Sequence, residues 1–340
     1  MLLALAGLTA CNNGDKAPDV SGIKVNLSVQ RFEKDFFALD TNNIGVGLDG
    51  LKAQYPSFFP VFIGEILGID NNMIQSGMAP AAVRSFIGTY KKLYDSTALV
   101  FGDFDKQANA VKKGLQYLKY YFPDYKAPDK LISFIGPMDV AYPTSFGIQS
   151  DILMPDAFGV GLHLHMGSGF SYYQSEQGQQ LYPQYISNRF EPDYIALNCF
   201  KPIVDELVTG NNEDKPLVQQ MVLNGKRLYI LSKLFPGTEE YKLMGYTAAQ
   251  MKDCYGHEAN IWDLFVQNNY LQLSDKNIVK NYIGEGPKTQ ELGEAAPGNI
   301  GSFAGWQIVK KYMAKNPSVS LQQLIAKDNE QLFQEAKYKP

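Results

Sequence analysis

Leu131-Ile132-Ser133-Phe134-Ile135-Gly136 and, farther on, Phe158-Gly159-Val160-Gly161-Leu162-His163-Leu164-His165 decide the fold class of this 340-residue chain. Both runs are short, rich in β-formers and bounded by Pro, Asp and Gly, as strands of a small sheet are. Thr144 to Leu153 (TSFGIQSDIL) lies between them with the same character, so three consecutive strands are expected. Ile23 to Val29 (IKVNLSV) alternates apolar and polar residues, the pattern of a further half-buried strand.

Outward from these strands the chain reads as helix. Leu48 to Tyr55, Phe58 to Leu67, Ala79 to Tyr94 and Phe104 to Tyr121 come before them. In the last of these Ala108, Val111, Leu115 and Leu118 recur on one helical face. Beyond the strands come Gln184 to Leu207, with a break expected at Pro192 or Pro202, then Lys215 to Phe235, Asn299 to Lys315 and Ser320 to Lys337. Thr247-Ala248-Ala249-Gln250 is a capping box, in which the Thr oxygen and the Gln side chain each satisfy a free backbone N–H. The sum is an α+β fold, mostly helical around a small central β-sheet, with Ile23 to Pro340 expected to form one domain.

Composition narrows the function. Lys and Arg number 31 against 35 Asp and Glu, a net charge of -4, so the basic stripe of a general nucleic-acid binder is not expected. Hydrophobic residues make up 45%, enough for a folded core. Three cysteines exclude a disulfide scaffold and a Cys-rich zinc module. Cys199 and Cys254 sit on expected helices far apart in sequence, which leaves their pairing open and favours two buried thiols.

Cys11 carries more information. Met1 to Ala10 (MLLALAGLTA) is apolar or small, too short to span a bilayer, and ends in Leu8-Thr9-Ala10-Cys11. This reads as the remnant of a signal peptide running into a lipobox, with Cys11 as the lipid attachment site after cleavage. The charged segment that should precede it is missing, so a start upstream or a trimmed leader is expected. Cys11 to Gly22 is polar and turn-rich, as a flexible tether would be. The expected protein is anchored to a membrane through Cys11 and has no transmembrane span.

The catalytic motifs fail on their own mechanics. Gly45, Gly47 and Gly50 spell GxGxxG, with Glu65 downstream, but Asp40 to Asn43 precedes them where a strand is needed, and Pro56 and Pro60 interrupt the following helix. His257-Glu258 opens an HExxH motif that Ile261 closes without its second histidine. Asp205 and Glu206, near Asp193, are adjacent on an expected helix and diverge by about 100°. Ser168 has flexible glycine neighbours and no nucleophile-elbow context. His163 and His165, at i and i+2 of an expected strand, would face one side and are the candidate metal ligands. Asp151, Asp156, His257 and Glu258 are then the available third ligands.

The order and spacing of several segments resemble the gliding motility lipoprotein GldB family of Bacteroidota. They are Arg31 to Phe37, Tyr55 to Phe59, Gly159 to Gly167, Tyr182 to Ile195 (YPQYISNRFEPDYI), Gly225 to Tyr229, Gly245 to Thr247, Glu258 with Ile261-Trp262, and Gly301 to Met313. With the lipobox they cover nearly the whole mature chain. The resemblance implies a lipoprotein of the gliding machinery, without established enzymatic activity. It also implies a layout resembling in outline a degenerate zinc metallopeptidase-like domain. The chain departs from the family at His163 and His165, where an acidic residue and an aromatic one are expected. The reading reached is a non-enzymatic envelope lipoprotein, with no cofactor, that joins other envelope proteins and faces the periplasm, on the outer membrane because Asn12 and not Asp follows Cys11. The rivals are a periplasmic metal-dependent hydrolase using His163 and His165, and a solute- or glycan-binding lipoprotein with a cleft near Tyr172, Tyr173 and Tyr182.

Overall fold

A computed structural model describes residues 17–210 and 214–340. The central sheet has the order β1 (Ser28–Arg31), β2 (Lys130–Phe134), β6 (Ala157–Gly161), β5 (Ile152–Leu153). β1, β2 and β6 run parallel and β5 runs antiparallel to β6. Leu131, Ile132, Phe134, Phe158 and Val160 are all buried, because the two central strands are covered on both faces. Gly159 stands opposite Ile152, whose side chain fills the space a Cβ would take.

The expected strand over Ile23 to Val29 begins later than its alternation suggests. Ile23, Val25 and Leu27 do pack on the core while Lys24, Asn26 and Ser28 face solvent, but ladder pairing starts only at Ser28. Alternation reports which side of an extended chain is wet, not whether a neighbour bonds to it. Val20 is 0% exposed, so the packed chain already includes part of the expected tether. Thr144 to Leu153 is three pieces: β3 (Tyr142–Thr144) and β4 (Gly147–Gln149) form a separate hairpin, and only β5 joins the main sheet. β6 stops at Gly161, and Leu162–Leu164 is a 3-10 turn. The two histidines therefore do not share a strand face.

Between β1 and β2 run α1 (Phe32–Phe37), α2 (Ile44–Gln54), α3 (Phe58–Val61), a π-turn (Phe62–Ile66), α4 (Asn71–Gln75), α5 (Ala79–Val100) and α6 (Asp105–Tyr121). Phe32, Phe36, Phe58, Phe62 and Phe134 form an aromatic cluster, with edge-on, tilted and stacked pairs, that seats this layer on the sheet. Buried Glu33 ties it further, accepting from Ser133 Oγ at 2.6 Å and pairing with Arg31 at 2.6 Å. Gly45, Gly47 and Gly50 lie inside α2, which begins before the expected Leu48, so no phosphate-cradling loop exists there.

After β6 come α7 (Ser171–Gln174), α8 (Glu176–Leu181), α9 (Gln184–Ser187) and α10 (Ile195–Leu207). The break expected within Gln184 to Leu207 falls at Pro192, which starts a 3-10 turn into α10, whereas Pro202 lies within α10. Proline has no N–H to give the carbonyl four residues back. That carbonyl, on Asn198, accepts instead from Gln149 Nε2 at 3.0 Å, so the helix continues.

The remaining helices are α11 (Leu217–Leu234), α12 (Glu240–Met244), α13 (Ala248–Gly256), α14 (Glu258–Gln267), α15 (Lys276–Val279), α16 (Ile300–Lys315), α17 (Leu321–Ala326) and α18 (Asn329–Ala336). The capping box of Thr247 and Gln250 is present at the start of α13. Ser320 to Lys337 is two helices, because Asp328 caps a new start. α11 and α16 cross with backbones in contact: Gly225 faces the Gly305 carbonyl and Gly305 faces that of Met221. Cys199 and Cys254 are free and buried. Among the described residues no helix is long and apolar enough to cross a membrane.

Candidate functional site

Over Ile195 to Val204 α10 is apolar and largely buried, and the two polar residues it buries there, Asn198 and Lys201, are three apart and so on one side of the helix. Asn198 Nδ2 donates to Asp151 at 2.9 Å, and Lys201 Nζ donates to Asn198 Oδ1 at 2.8 Å. Asp151, on the turn into β5, also accepts from His165 Nε2 at 2.8 Å and from the Gly161 amide at 3.1 Å. The ring of His165 is held on its other side, 3.3 Å from the Glu191 carbonyl. All four side chains are buried. Burial, and then the nearby Arg189 guanidinium, push the Lys201 ammonium down to about 7.

Toward solvent, Arg189 pairs with Glu285 and donates to the Phe146 carbonyl at 3.2 Å. The pair forms the floor of a cleft of about 210 Å³ walled by Tyr185, Gly245, Gly286 and Gly298, with Gln184 and Asn188 at its rim. Gly147, at φ +106, leaves the room Glu285 occupies, since a Cβ there would meet both partners of the pair. The Arg189–Glu285 pair at the cleft and the buried run from Lys201 to His165 form a polar seam whose two parts feel each other through charge. In it each charge answers another charge or an amide, which is what a buried ionic group needs to persist.

His163 is separate from this seam. Its Nδ1 accepts from the Gly136 amide at 3.1 Å and its Nε2 donates to the Val140 carbonyl at 3.2 Å, a pairing only the neutral ring can make. Burial accordingly pushes it down to about 4. His163 and His165 thus bind different partners. Asp156 accepts from Ser57 and Lys130, His257 bonds the Asp253 carbonyl, and Glu258 accepts from Tyr338. Among the described residues no group of three or more His, Cys, Asp and Glu is placed to hold a metal.

The other nominated residues disperse as well. Asp205 binds Ser145 and Arg227 while Glu206 binds Tyr125, so the adjacent acids face different surroundings. Asp193 pairs with Lys106 and Lys242. The Ser168 amide donates to Glu191. Tyr173 and Tyr182 are buried, and Tyr173 donates to the His163 carbonyl, so they offer no stacking platform for a sugar. Burial pushes the Cys254 thiol up to about 12, far from a reactive thiolate. Cys11 lies outside the described residues.

Of the nominated third ligands Asp151 does meet His165, as a hydrogen-bond partner; what sequence reading missed is Asn198 with Lys201, and Arg189 with Glu285. A signal existed for the first group, since Asn198 and Lys201 interrupt an apolar helix at helical spacing. Nothing local links Arg189 to a glutamate almost a hundred residues away.

This is an α+β fold in which the buried Asp151, His165, Asn198 and Lys201 bond to one another. A family model described as gliding motility protein GldB matches residues 13–340, and the chain belongs to that family. No curated protein and no solved structure matches the chain.

Proposed function

We propose that this protein is an envelope lipoprotein, anchored by a lipid on Cys11, that serves gliding motility by assembling with other envelope proteins and not by catalysis. Family membership supports the motility role. The observation that carries the non-catalytic part is that each side chain nominated for metal or acid–base work is bonded to the protein itself: Asp151 to His165, His163 to Gly136 and Val140, Asp205 to Arg227, Glu258 to Tyr338. Such groups hold structure in place. The folded part is read as one domain facing the periplasm, on the outer membrane.

Two measurements test this. Metabolic labelling with an alkyne fatty acid should tag the protein and fail to tag Cys11→Ser; equal labelling of both sinks the anchor. Cross-linking in intact cells, followed by solubilisation in mild detergent, should recover the protein with other envelope proteins. Recovery of this chain alone counts against assembly.

A further inference from the structure

We propose that the outer face of α6, with Ile23 and Lys24 fastened to it, is the surface by which the protein lies on anionic lipid. The proposal rests on lipid attachment at Cys11.

The first observation is where the anchor leaves the fold. Val20 is buried in the core, Gln116 Nε2 donates to the Ile23 carbonyl at 3.0 Å, and Lys119 Nζ donates to the Lys24 carbonyl at 3.3 Å. The segment leading to Cys11 is therefore fastened to α6 at Ile23 and Lys24, and its Ala17–Pro18 end lies beside Tyr121 at the end of that helix, next to Tyr229 and Trp306. Five residues lie between Cys11 and Ala17, and the six steps from one to the other reach at most about 20 Å. A folded chain of this size has a radius of gyration of about 20 Å, so the side remote from α6 cannot come down to the bilayer on such a tether.

The second observation is the chemistry of that face. At 100° per residue, Lys112, Lys113, Gln116, Lys119 and Tyr120 occupy an arc of about 120°, opposite the buried Val111, Gly114 and Leu118. Lys112, Lys113 and Lys119 are exposed, and among the described residues none is ion-paired. Lys24 joins them, and Asp19, in the field of Lys113, is the acid that the fastened segment contributes. Tyr120 is 49% exposed beside them, and Lys113 Nζ lies 5.3 Å from the Tyr117 ring centre. In a chain of net charge -4 this is a local basic and aromatic surface, and lysines with tyrosines are what the headgroup layer accepts. Each lysine near an anionic surface is worth roughly a fivefold gain in binding.

The test uses the lipidated full-length protein on vesicles of phosphatidylcholine, with and without phosphatidylglycerol. Surface amines are acetylated and read by mass spectrometry. On anionic vesicles Lys112, Lys113 and Lys119 should react about fivefold more slowly than on neutral ones, while Lys52 and Lys92 keep their rates. About 0.5 M salt should remove the protection. The variant Lys112→Glu, Lys113→Glu, Lys119→Glu should still float with the vesicles yet show no slowing at Lys24. Unchanged reactivity of the three lysines on a protein that floats overturns the docking face and leaves the anchor standing. A wild-type protein that does not float overturns the anchor, and the docking face with it.

Discussion

α10 and the α11–α16 pair close the same interior by opposite means. α10 brings Asn198 and Lys201 inward and must answer them with Asp151, His165 and the Arg189–Glu285 pair. α11 and α16 share a hydrogen bond from Asn224 Nδ2 to Ser302 Oγ at 2.9 Å, but their close approach does not rest on it. Gly225 and Gly305 instead remove side chains so that backbone meets backbone. The first contact depends on chemical complementarity and fails when one member is lost. The second depends on shape and fails when one atom is added.

Asp151→Ala should have the largest effect on stability. It strips an acceptor from His165, Asn198 and the Gly161 amide at once, and should cost about 3 to 5 kcal/mol in urea denaturation. A loss below about 1 kcal/mol would mean the seam is not structural. Gly305→Ala should cost about 3 kcal/mol, because its Cβ falls on the Met221 carbonyl, and thermal melting will register it.

A pH series comes next in size. The unfolded His163 titrates near its ordinary value of 6.5 and the folded one near 4, so the unfolded state binds the extra proton between these values. Stability due to this residue is complete above 6.5 and lost as pH falls toward 4, by about 2 kcal/mol between pH 7 and 5. His163→Asn should show a correspondingly shallower acid limb; an unchanged limb would assign the loss to other groups.

Two smaller effects sharpen the contrast. Gly50→Ala places a methyl where nothing lies within 4 Å, inside α2, and should stabilise by about 0.5 to 1 kcal/mol. Destabilisation there would reopen the GxGxxG reading. Glu206→Gln keeps an acceptor for Tyr125 at an exposed site and should change stability by less than about 0.5 kcal/mol. Asp205→Asn, which loosens Ser145 and Arg227 together, should cost more.

Much of the fold was legible in the residues. The runs at Leu131 and Phe158 became the two central strands, since continuous apolar character within a few residues is what a doubly covered strand requires. The capping box at Thr247 also held, being decided within four residues. The His163 and His165 pairing did not, because a 3-10 turn after Gly161 ends the period of two on which it relied. Of the two prolines offered as the break, Pro192 made it and Pro202 did not. Whether a proline breaks a helix depends on a partner for the freed carbonyl, and here that partner, Gln149, comes from another strand.

The sequence by itself determined the α+β class, the nominated lipid site at Cys11, the failure of the catalytic motifs and the family resemblance. These rest on local periodicity, on spacing, and on an ordered series of segments. Tertiary structure alone decided that Asp151 serves His165 and Asn198, that Arg189 meets Glu285, and that Ile23 and Lys24 are held by Gln116 and Lys119 of α6. Each joins side chains between about ten and about a hundred positions apart. Hydrogen bonds and ion pairs act over a few ångströms of space, whatever the separation along the chain.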